Sequence, residues 1–307
     1  GGEERAGEMD AIFLGAIGLP HVRHEDGTEI APHLRLRDRF GLYAGVRPVR
    51  AYPNVPRRLA DPRADGIDLV VLRESTEGLF YSAATHHRNQ VHDNDVVCDT
   101  LRITRGTTEK LHHFGFRLAE RRKARGRPGR LTCVDKANVF ASMAFFRKIF
   151  DERAKKFPDI EARHRYVDAM ALDLVKHPWA FDVMATENMY GDILSDLAAG
   201  LMGGLGMAPS GDIGHDRAVF QPCHGSAPDI AGQGKANPTA TFLSAAMMLD
   251  WLGERHGEAK AEEAGRLIQG AVDRAYAGGG LSPQEFGGPD GTAAVTRKVL
   301  DELKVTA

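Results

Sequence analysis

The stretch FDVMATENMYGDILSDLAA, residues 181–199, is the part of the sequence that decides the fold. It begins with a mainly apolar segment, residues 181–185, which predicts a buried strand. A polar turn follows at residues 186–188, and the remainder has the apolar spacing of a helix. Asp192 and Asp196 are four positions apart, so the helix would place both carboxylates on one face. Two like charges this close repel each other unless a cation lies between them.

The acidic pair Asp192 and Asp196 allows two interpretations. Carboxylate oxygens are the ligands that suit a hard divalent cation such as Mg²⁺ or Mn²⁺. Acidic residues at the start of a helix also have a simpler explanation, because the helix macrodipole stabilises negative charge there. The other segments of the chain are needed to choose between a metal site and an ordinary helix start.

The composition limits the class of protein. The 307 residues are 42% hydrophobic and contain no long apolar run, so we expect a soluble chain of one or two domains without a membrane span or signal peptide. The net charge of −2 gives no electrostatic reason to expect nucleic acid or an acidic membrane as a partner. Cys98, Cys133 and Cys223 match neither a disulfide framework nor a CxxC zinc site, which favours a cytoplasmic location.

Strands and helices alternate along the chain, which predicts a largely parallel α/β sheet. Further strands are predicted at residues 11–15, 67–72, 131–134 and 219–221, helices at 32–43, 99–122, 139–157, 166–175, 239–256 and 258–276, and a hairpin or arm at 82–98. Ligands of such sheets collect at the carboxyl ends of the strands. Arg73, Lys136 and the pair Glu187 and Asn188 each follow a predicted strand, so we expect them to lie at one edge of the sheet.

The segment GLMGGLG, residues 200–206, loosely resembles a dinucleotide fingerprint. It follows a predicted helix and precedes a proline, so the strand-to-helix context that this fingerprint requires is missing. We interpret it as a helix end and turn, and we predict no classical Rossmann site.

Seven motifs occur in a characteristic order: LR (36–37), VRP (46–48), LRE (72–74), VDKANV (134–139), YVDAM (166–170), NMYGDILSD (188–196) and HGSAPDIAG (224–232). Together they resemble the isocitrate/isopropylmalate dehydrogenase family of β-decarboxylating enzymes, over a match that runs from about Asp10 to the C-terminus. The resemblance implies a two-domain α/β fold with a mixed central sheet flanked by helices. One domain, residues 1–42 and 203–307, would bind the cofactor. The other, residues 43–202, would hold substrate and metal and form the dimer.

The resemblance implies a substrate site made of arginines. Family substrates are 2-hydroxy acids with a second carboxylate at C3, and Arg37, Arg47 and Arg73 match the arginines that hold these carboxylates. The planar guanidinium fork is well suited to this task. Asp192 and Asp196 match ligands of a Mg²⁺ or Mn²⁺ ion, which would ease formation of the alkoxide and stabilise the enolate.

Two matched residues would come from a second copy of the chain. Asp168 matches a carboxylate that the other subunit lends to the metal site, and Lys136 matches the catalytic lysine that takes part in removing the hydroxyl proton. A lysine pKa is ordinarily about 10, so burial or a nearby cation would have to lower it. The resemblance therefore implies a homodimer with shared active sites.

The motif HGSAPDIAG matches the loop that holds the adenosine half of the cofactor. The resemblance implies cofactor contacts from His224, Gly225, Ser226, Ala227, Pro228, Asp229, Ile230 and Asn237, with Asn138 near the nicotinamide. A carboxylate at Asp229 can accept hydrogen bonds from ribose hydroxyls and would repel a 2′-phosphate. NADP-using relatives carry basic or aromatic residues there, so we expect NAD.

Three departures from the family pattern bear on function. The tyrosine that helps to protonate the enol is replaced by Phe80, and we expect Tyr81 to take its role. His33 adds a polar edge where isopropylmalate enzymes place leucines against the alkyl group. The opening strand, loop and helix of the family do not occur in this sequence, which either omits them or belongs to a fragment. A genuine absence of these elements from the protein would weaken the packing of residues 11–15 and NAD binding.

The sequence therefore predicts NAD- and metal-dependent oxidative decarboxylation of a 3-substituted malate, with 3-isopropylmalate as the first candidate. Tartrate or D-malate is the alternative within the family. A non-catalytic regulatory subunit with the same fold is an alternative of another class, but such a subunit would not need Lys136, Asp168, Asp192 and Asp196 together. A magnesium-dependent phosphotransfer enzyme is disfavoured because the sequence has no P-loop.

Overall fold

The computed structural model describes residues 2–25, 27–84, 90–92 and 95–305. The strands are β1 (Ala11–Phe13), β2 (Ala44–Arg50), β3 (Asp68–Glu74), β4 (Gln90–His92), β5 (Val96–Cys98), β6 (Arg130–Asp135), β7 (Glu161–Tyr166), β8 (Val183–Thr186), β9 (Pro209–Ile213) and β10 (Ala218–Pro222). Eight of them form one sheet in the order β1-β10-β9-β2-β3-β8-β6-β7. Strands β4 and β5 form a separate antiparallel hairpin, which confirms the prediction for residues 82–98 in its described part.

The helices are α1 (Gly2–Ala6), α2 (Pro32–Phe40), α3 (Tyr81–Ala84), α4 (Arg105–Ala124), α5 (Ala141–Ala154), α6 (Val167–Lys176), α7 (Asn188–Leu201), α8 (Thr239–His256), α9 (Ala259–Ala277) and α10 (Thr292–Lys304). Helix α4 begins later than residue 99, because Thr104 donates its backbone N–H to the buried carboxylate of Glu77 at 2.8 Å instead of continuing a helix. In the part of the chain that the structure describes, no helix combines the length and the apolar character needed to cross a bilayer.

The eight-stranded sheet is mixed. Strands β3, β8, β6 and β7 run parallel to one another, whereas β2 and β9 are antiparallel to the strands on both sides of them. This confirms the predicted mixed sheet and corrects the expectation of a largely parallel one. Pro48 is tolerated within β2 because β9 pairs only with residues 44–46, so the missing N–H of Pro48 faces no β9 partner.

Helices cover both faces of this sheet, and each face has its own apolar core. Leu69 and Val71 of β3 belong to the core that also includes residues of α6, α7, α9 and α10. Leu72 points to the opposite face and belongs with Phe116 of α4 and Phe146 of α5 to the second core. The alternation follows from the two-residue period of a strand, and it gives the doubly covered α/β architecture.

Strand β1 lies at an edge of the sheet, next to β10 alone. The strand predicted at residues 11–15 forms over Ala11–Phe13, but the buried position expected for its apolar residues is wrong, because Phe13 is 45% exposed. The apolar composition of this segment could not distinguish a central strand from an edge strand, because that distinction depends on which distant strands pair with it.

Gly191 allows α7 to lie directly against β3. A Cβ atom at this position would lie 2.6 Å from Cγ and 3.0 Å from Cα of Arg73. We expect Gly191→Ala to lower the free energy of unfolding by about 1–3 kcal/mol, because overpacking forces the helix or Arg73 to move. Urea unfolding followed by circular dichroism measures this change.

Gly200 in the same helix provides the matched control. A Cβ atom there would have no neighbour within 4 Å. Gly200→Ala should therefore leave stability unchanged or raise it by up to about 1 kcal/mol, through the better helix propensity of alanine. Equal stabilities of the two variants would contradict the close approach of α7 to β3.

Candidate active site

The carboxyl ends of three adjacent parallel strands meet at one edge of the sheet, called here the rim. Arg73 lies near the end of β3, Glu187 and Asn188 follow β8, and Lys136 follows β6. The order β3-β8-β6 places these ends side by side, at a spacing of about 5 Å between neighbouring strands. The structure thus brings together the polar residues that the sequence placed after three separate strands.

Arg73 is held at the rim by contacts on several sides. Its Nε donates to Oδ1 of Asn188 at 2.8 Å, and its Nη1 forms an ion pair with the carboxylate of Asp192. Its guanidinium carbon lies 4.8 Å from the ring centroid of Phe80. Burial, with the positive charge of Arg37 second, lowers the pKa of Arg73 to about 10. A cation is thus held at a buried position where an anionic ligand would stabilise it.

Arg37 and Arg47 lie beside Arg73 and complete the arginine cluster (Arg37, Arg47 and Arg73). Arg37 projects from α2 and Arg47 from β2, and both are buried. Nη1 of Arg47 donates to Sγ of Cys223 at 2.9 Å. Its Nε is buried and has no hydrogen-bond partner among the described residues. A buried donor without a protein partner is expected to bind a ligand or water.

Asp212 of β9, which the sequence analysis did not identify, faces the arginine cluster. Its Oδ2 accepts a hydrogen bond from Nε of Arg37 at 2.9 Å, and its Oδ1 accepts one from Oγ of Ser75 at 3.2 Å. Burial alone would raise the pKa of Asp212, but the charges of the three arginines outweigh it and hold the pKa below its usual value. No local pattern in the segment PSGDI indicates this role.

The strand register explains how Asp212 and Arg73 come to face each other. Gly45 of β2 pairs with Asp212 on one side and with Arg73 on the other, so these two side chains project from the same face of the sheet. A Cβ atom at Gly45 would lie 2.6 Å from Oγ of Ser75 and 3.1 Å from Oδ1 of Asp212. The missing side chain at position 45 therefore makes room for the carboxylate.

The acidic pair of α7 lies next to the cluster, as its contact with Arg73 shows. Burial raises the pKa of Asp196, and the charge of Asp192 raises it further. This repulsion is the expected property of a cation site, and the oxygen donors fit Mg²⁺ or Mn²⁺. Among the described residues of one chain, no three histidine, cysteine or acidic side chains are grouped so that they could hold a metal ion. Any site built on this pair needs a further ligand from a substrate or a second chain.

Lys136 and Asp168 form an ion pair at the same edge of the sheet. Nζ of Lys136 lies 2.6 Å from Oδ1 of Asp168, and this hydrogen bond holds the pKa of Asp168 below its usual value. The side chain of Asp168 is 66% exposed. Asn138 lies on the exposed turn that follows Lys136. The exposure of Asp168 leaves the ion pair accessible to another molecule from that side.

A cavity of about 850 Å³ lies at the loop that follows β10. Six of the predicted cofactor-binding residues line it: His224, Gly225, Ser226, Ala227, Ile230 and Asn237. Pro228 and Asp229 begin the short 3-10 helix Pro228–Ile230 beside these residues, and Asp229 is exposed. Glu285 also lines the cavity and accepts hydrogen bonds from the backbone of Gly206 and the amide of Asn237. The volume of the cavity suits a ligand of nucleotide dimensions.

The neighbouring aromatic residues Phe80 and Tyr81 contact different arginines. The ring of Phe80 packs against the guanidinium group of Arg73, whereas the guanidinium carbon of Arg102 lies 3.7 Å from the ring centroid of Tyr81. The acid role expected of Tyr81 stays a prediction, and its contact with Arg102 gives that role no support.

The comparisons with known proteins agree with this arrangement. A model of the isocitrate/isopropylmalate dehydrogenase family matches residues 3–303. The chain is 41% identical over 304 residues to the 3-isopropylmalate dehydrogenase of Heyndrickxia coagulans, which covers 97% of this chain and 80% of the relative. It is 44% identical over 271 residues to the isocitrate/homoisocitrate dehydrogenase of Thermus thermophilus, covering 88% of this chain and 74% of the relative.

A solved structure supports the same assignment. The crystal structure of isocitrate dehydrogenase from Methylococcus capsulatus matches with a TM-score of 0.85 and 33% sequence identity, over 98% of this chain and 84% of that one. The sequence, the fold and the residues at the rim therefore indicate the same family. The chain belongs to the isocitrate/isopropylmalate dehydrogenase family and is an NAD(P)-dependent decarboxylating dehydrogenase.

Proposed function

We propose that this chain catalyses the NAD- and divalent-metal-dependent oxidative decarboxylation of a 3-substituted malate in the cytoplasm. The observation that supports this most strongly is the convergence of three buried guanidinium groups beside the acidic pair of α7. Guanidinium groups bind carboxylates, and an acidic pair binds a hard cation that can chelate a hydroxy acid. The proposed substrate presents both kinds of group within one small molecule.

The chain's own residues would orient the substrate and move its proton. Arg47 and Arg73 would hold carboxylates, and Asp192 and Asp196 would hold Mg²⁺ or Mn²⁺. When bound, the metal supplies a Lewis acid and NAD supplies the hydride acceptor. Lys136 would accept the hydroxyl proton, a transfer that requires its neutral form.

We propose a homodimer in which the partner subunit's Lys136 and Asp168 complete each site. Three large apolar residues on α6 and α7 are at least half exposed: Leu172 (56%), Val175 (50%) and Ile193 (57%). These apolar side chains lie on two neighbouring helices that also carry Asp168 and Asp192. An apolar surface of this kind is expected to be covered by a partner, and a second copy would supply the missing ligand.

The proposed domains, residues 1–42 with 203–307 and residues 43–202, meet where β9 pairs with β2 and in the apolar core that β3 and α7 share with α9 and α10. This pairing involves only residues 44–46 and 211–213. The strand pairing is short and lies beside the arginine cluster, where a small movement of the two halves would close the site on the substrate and exclude water.

The substrate within the family is decided by what lies against C3. Nδ1 of His33 is buried without a hydrogen-bond partner among the described residues. Burial, followed by the charge of Arg37, lowers the pKa of His33 to about 4, so the ring is neutral at physiological pH. A neutral ring with an unused nitrogen favours a hydroxyl at C3, which tartrate carries and D-malate does not. This supports tartrate within the second candidate, tartrate or D-malate, beside 3-isopropylmalate.

The test offers the purified protein Mn²⁺, NAD and each of 3-isopropylmalate, D-malate, tartrate and isocitrate, while NADH and CO₂ are recorded. We expect stoichiometric NADH and CO₂ with at least one of the first three. Absence of turnover with all four, in protein that binds Mn²⁺, would overturn the proposal in favour of a non-catalytic role.

The choice of NAD over NADP gives a separate prediction at Asp229. We expect Asp229→Arg to raise the ratio of kcat/KM for NADP to that for NAD by about tenfold or more, because a repulsive carboxylate is replaced by a cation that can bind the 2′-phosphate. Steady-state kinetics with both cofactors measure the ratio.

Glu263→Arg is the control for this change of charge. Glu263 is exposed on α9 and does not line the cavity. The variant should leave the cofactor ratio unchanged. A wild-type preference for NADP, or an equal response of the two variants, would contradict the role of Asp229.

A further inference from the structure

The carboxylate of Asp212 lies against the arginine cluster and is buried with it. Its residue is 1% exposed, and it pairs with Arg37, one of the three guanidinium groups proposed to hold the substrate. Gly45 and Ser75 provide the space and a second hydrogen bond for it. The carboxylate is therefore positioned by the sheet itself and is not a surface group that has folded inwards.

Asp212 lowers the net positive charge of the arginine cluster. Asp212 neutralises one of three positive charges, so the cluster is left with two. Asp192 also contacts Arg73, but a divalent cation bound to Asp192 and Asp196 would balance these two carboxylates. Nε of Arg47 and Nδ1 of His33 remain without protein partners among the described residues, so the ligand-binding capacity lies on the Arg47 side.

Resting on the function proposed above, we propose that Asp212 is a specificity-determining residue that acts as a built-in carboxylate. Its negative charge offsets the positive charge of Arg37, so the site gains nothing from a third carboxylate on the substrate. A third carboxylate would have to displace Asp212 or lie against it, and like charges placed side by side oppose binding. The selected substrates are hydroxy dicarboxylates, and tricarboxylates such as isocitrate are excluded.

Binding in the wild-type protein tests this without any substitution. Calorimetric titration with glutarate and with tricarballylate, in the presence of Mn²⁺ and NADH, compares two and three carboxylates on similar carbon chains. We expect the third carboxylate to give no gain in affinity. Binding of tricarballylate about tenfold or more tighter than that of glutarate would overturn the proposal.

Asp212→Asn tests the residue directly. The variant should bind tricarballylate about tenfold or more tighter than the wild type and should raise kcat/KM for isocitrate relative to D-malate, because the opposing negative charge of Asp212 is removed. The double variant Asp212→Asn/Arg37→Gln should lose this gain, since the net charge of the arginine cluster and position 212 returns to its wild-type value. An unchanged preference in a folded Asp212→Asn variant would contradict the proposal.

Asp216→Asn is the matched control, since Asp216 is exposed in the turn between β9 and β10 and pairs with Arg255 instead of the cluster. It should leave both preferences unchanged. An error in the proposed function is distinguishable from an error in the role of Asp212. The first would appear as no turnover of any hydroxy acid, whereas the wild-type titrations test the second by binding alone.

Discussion

Asp196→Asn is expected to reduce kcat/KM for the hydroxy acid substrate by about a thousandfold relative to the wild type, when both proteins are assayed at a Mn²⁺ concentration that saturates the wild type. A metal that polarises the substrate contributes several kcal/mol to transition-state stabilisation, and each 1.36 kcal/mol corresponds to about tenfold in rate. Asp196 is the better choice of the acidic pair, because Asp192 also contacts Arg73 and its substitution would disturb the arginine cluster.

The stability of Asp196→Asn separates a metal ligand from a structural residue. The raised pKa of Asp196 shows that its ionised form is less favourable in the folded chain. Neutralising it should therefore leave the metal-free protein at least as stable as the wild type near neutral pH. The wild type should gain about 2.7 kcal/mol at a Mn²⁺ concentration of about one hundred times Kd, and the variant should lose this gain. Thermal unfolding with and without Mn²⁺ measures both effects, and a variant that retains Mn²⁺ stabilisation and activity would exclude Asp196 as a ligand.

Lys136→Ala is expected to lower kcat by about 10²–10⁴-fold, which is the usual contribution of a positioned general base, with a smaller effect on KM. A small primary amine such as methylamine should restore part of the activity. Lys148→Ala, at an exposed position of α5, is the control and should retain wild-type kinetics. Full activity of Lys136→Ala would exclude the proposed proton transfer.

Co-expression of Lys136→Ala with Asp196→Asn tests the sharing of active sites between subunits. Each mixed dimer would contain one intact site, made from the Asp196 of one chain and the partner's Lys136. Random assembly makes half of the dimers mixed, so we expect about a quarter of wild-type activity. Activity that stays at the level of the two separate variants would show that Lys136 serves the site of its own chain.

Much of the site is determined by local sequence. The strand, polar turn and helix around residues 183–201 were predicted because their apolar periods are local properties. The positions of Arg73 and Lys136 at the rim were predicted because the carboxyl ends of parallel strands meet whatever the strand order is. The family motifs supplied the arginine cluster and the acidic pair as a set.

Other elements were missed because their formation depends on distant partners. Strand β7 has no apolar alternation and is exposed at an edge of the sheet, so only its pairing with β6 identifies it. Strand β2 contains a proline and two arginines, and β9 lies in a glycine-rich segment. Helix α10 was also not predicted.

By itself, the sequence determined the family, the mixed α/β architecture and the residue types that the chemistry requires, since these depend on local periods and ordered motifs. Only the tertiary structure decided that Asp212 faces Arg37 and that Phe80, not Tyr81, covers Arg73. The physical reason is that cross-strand register brings together residues far apart in the chain: Arg73 and Asp212 project from one face of the sheet because both pair with Gly45 of β2. Charge balance in the pocket is a property of that register, and no single segment of the sequence contains it.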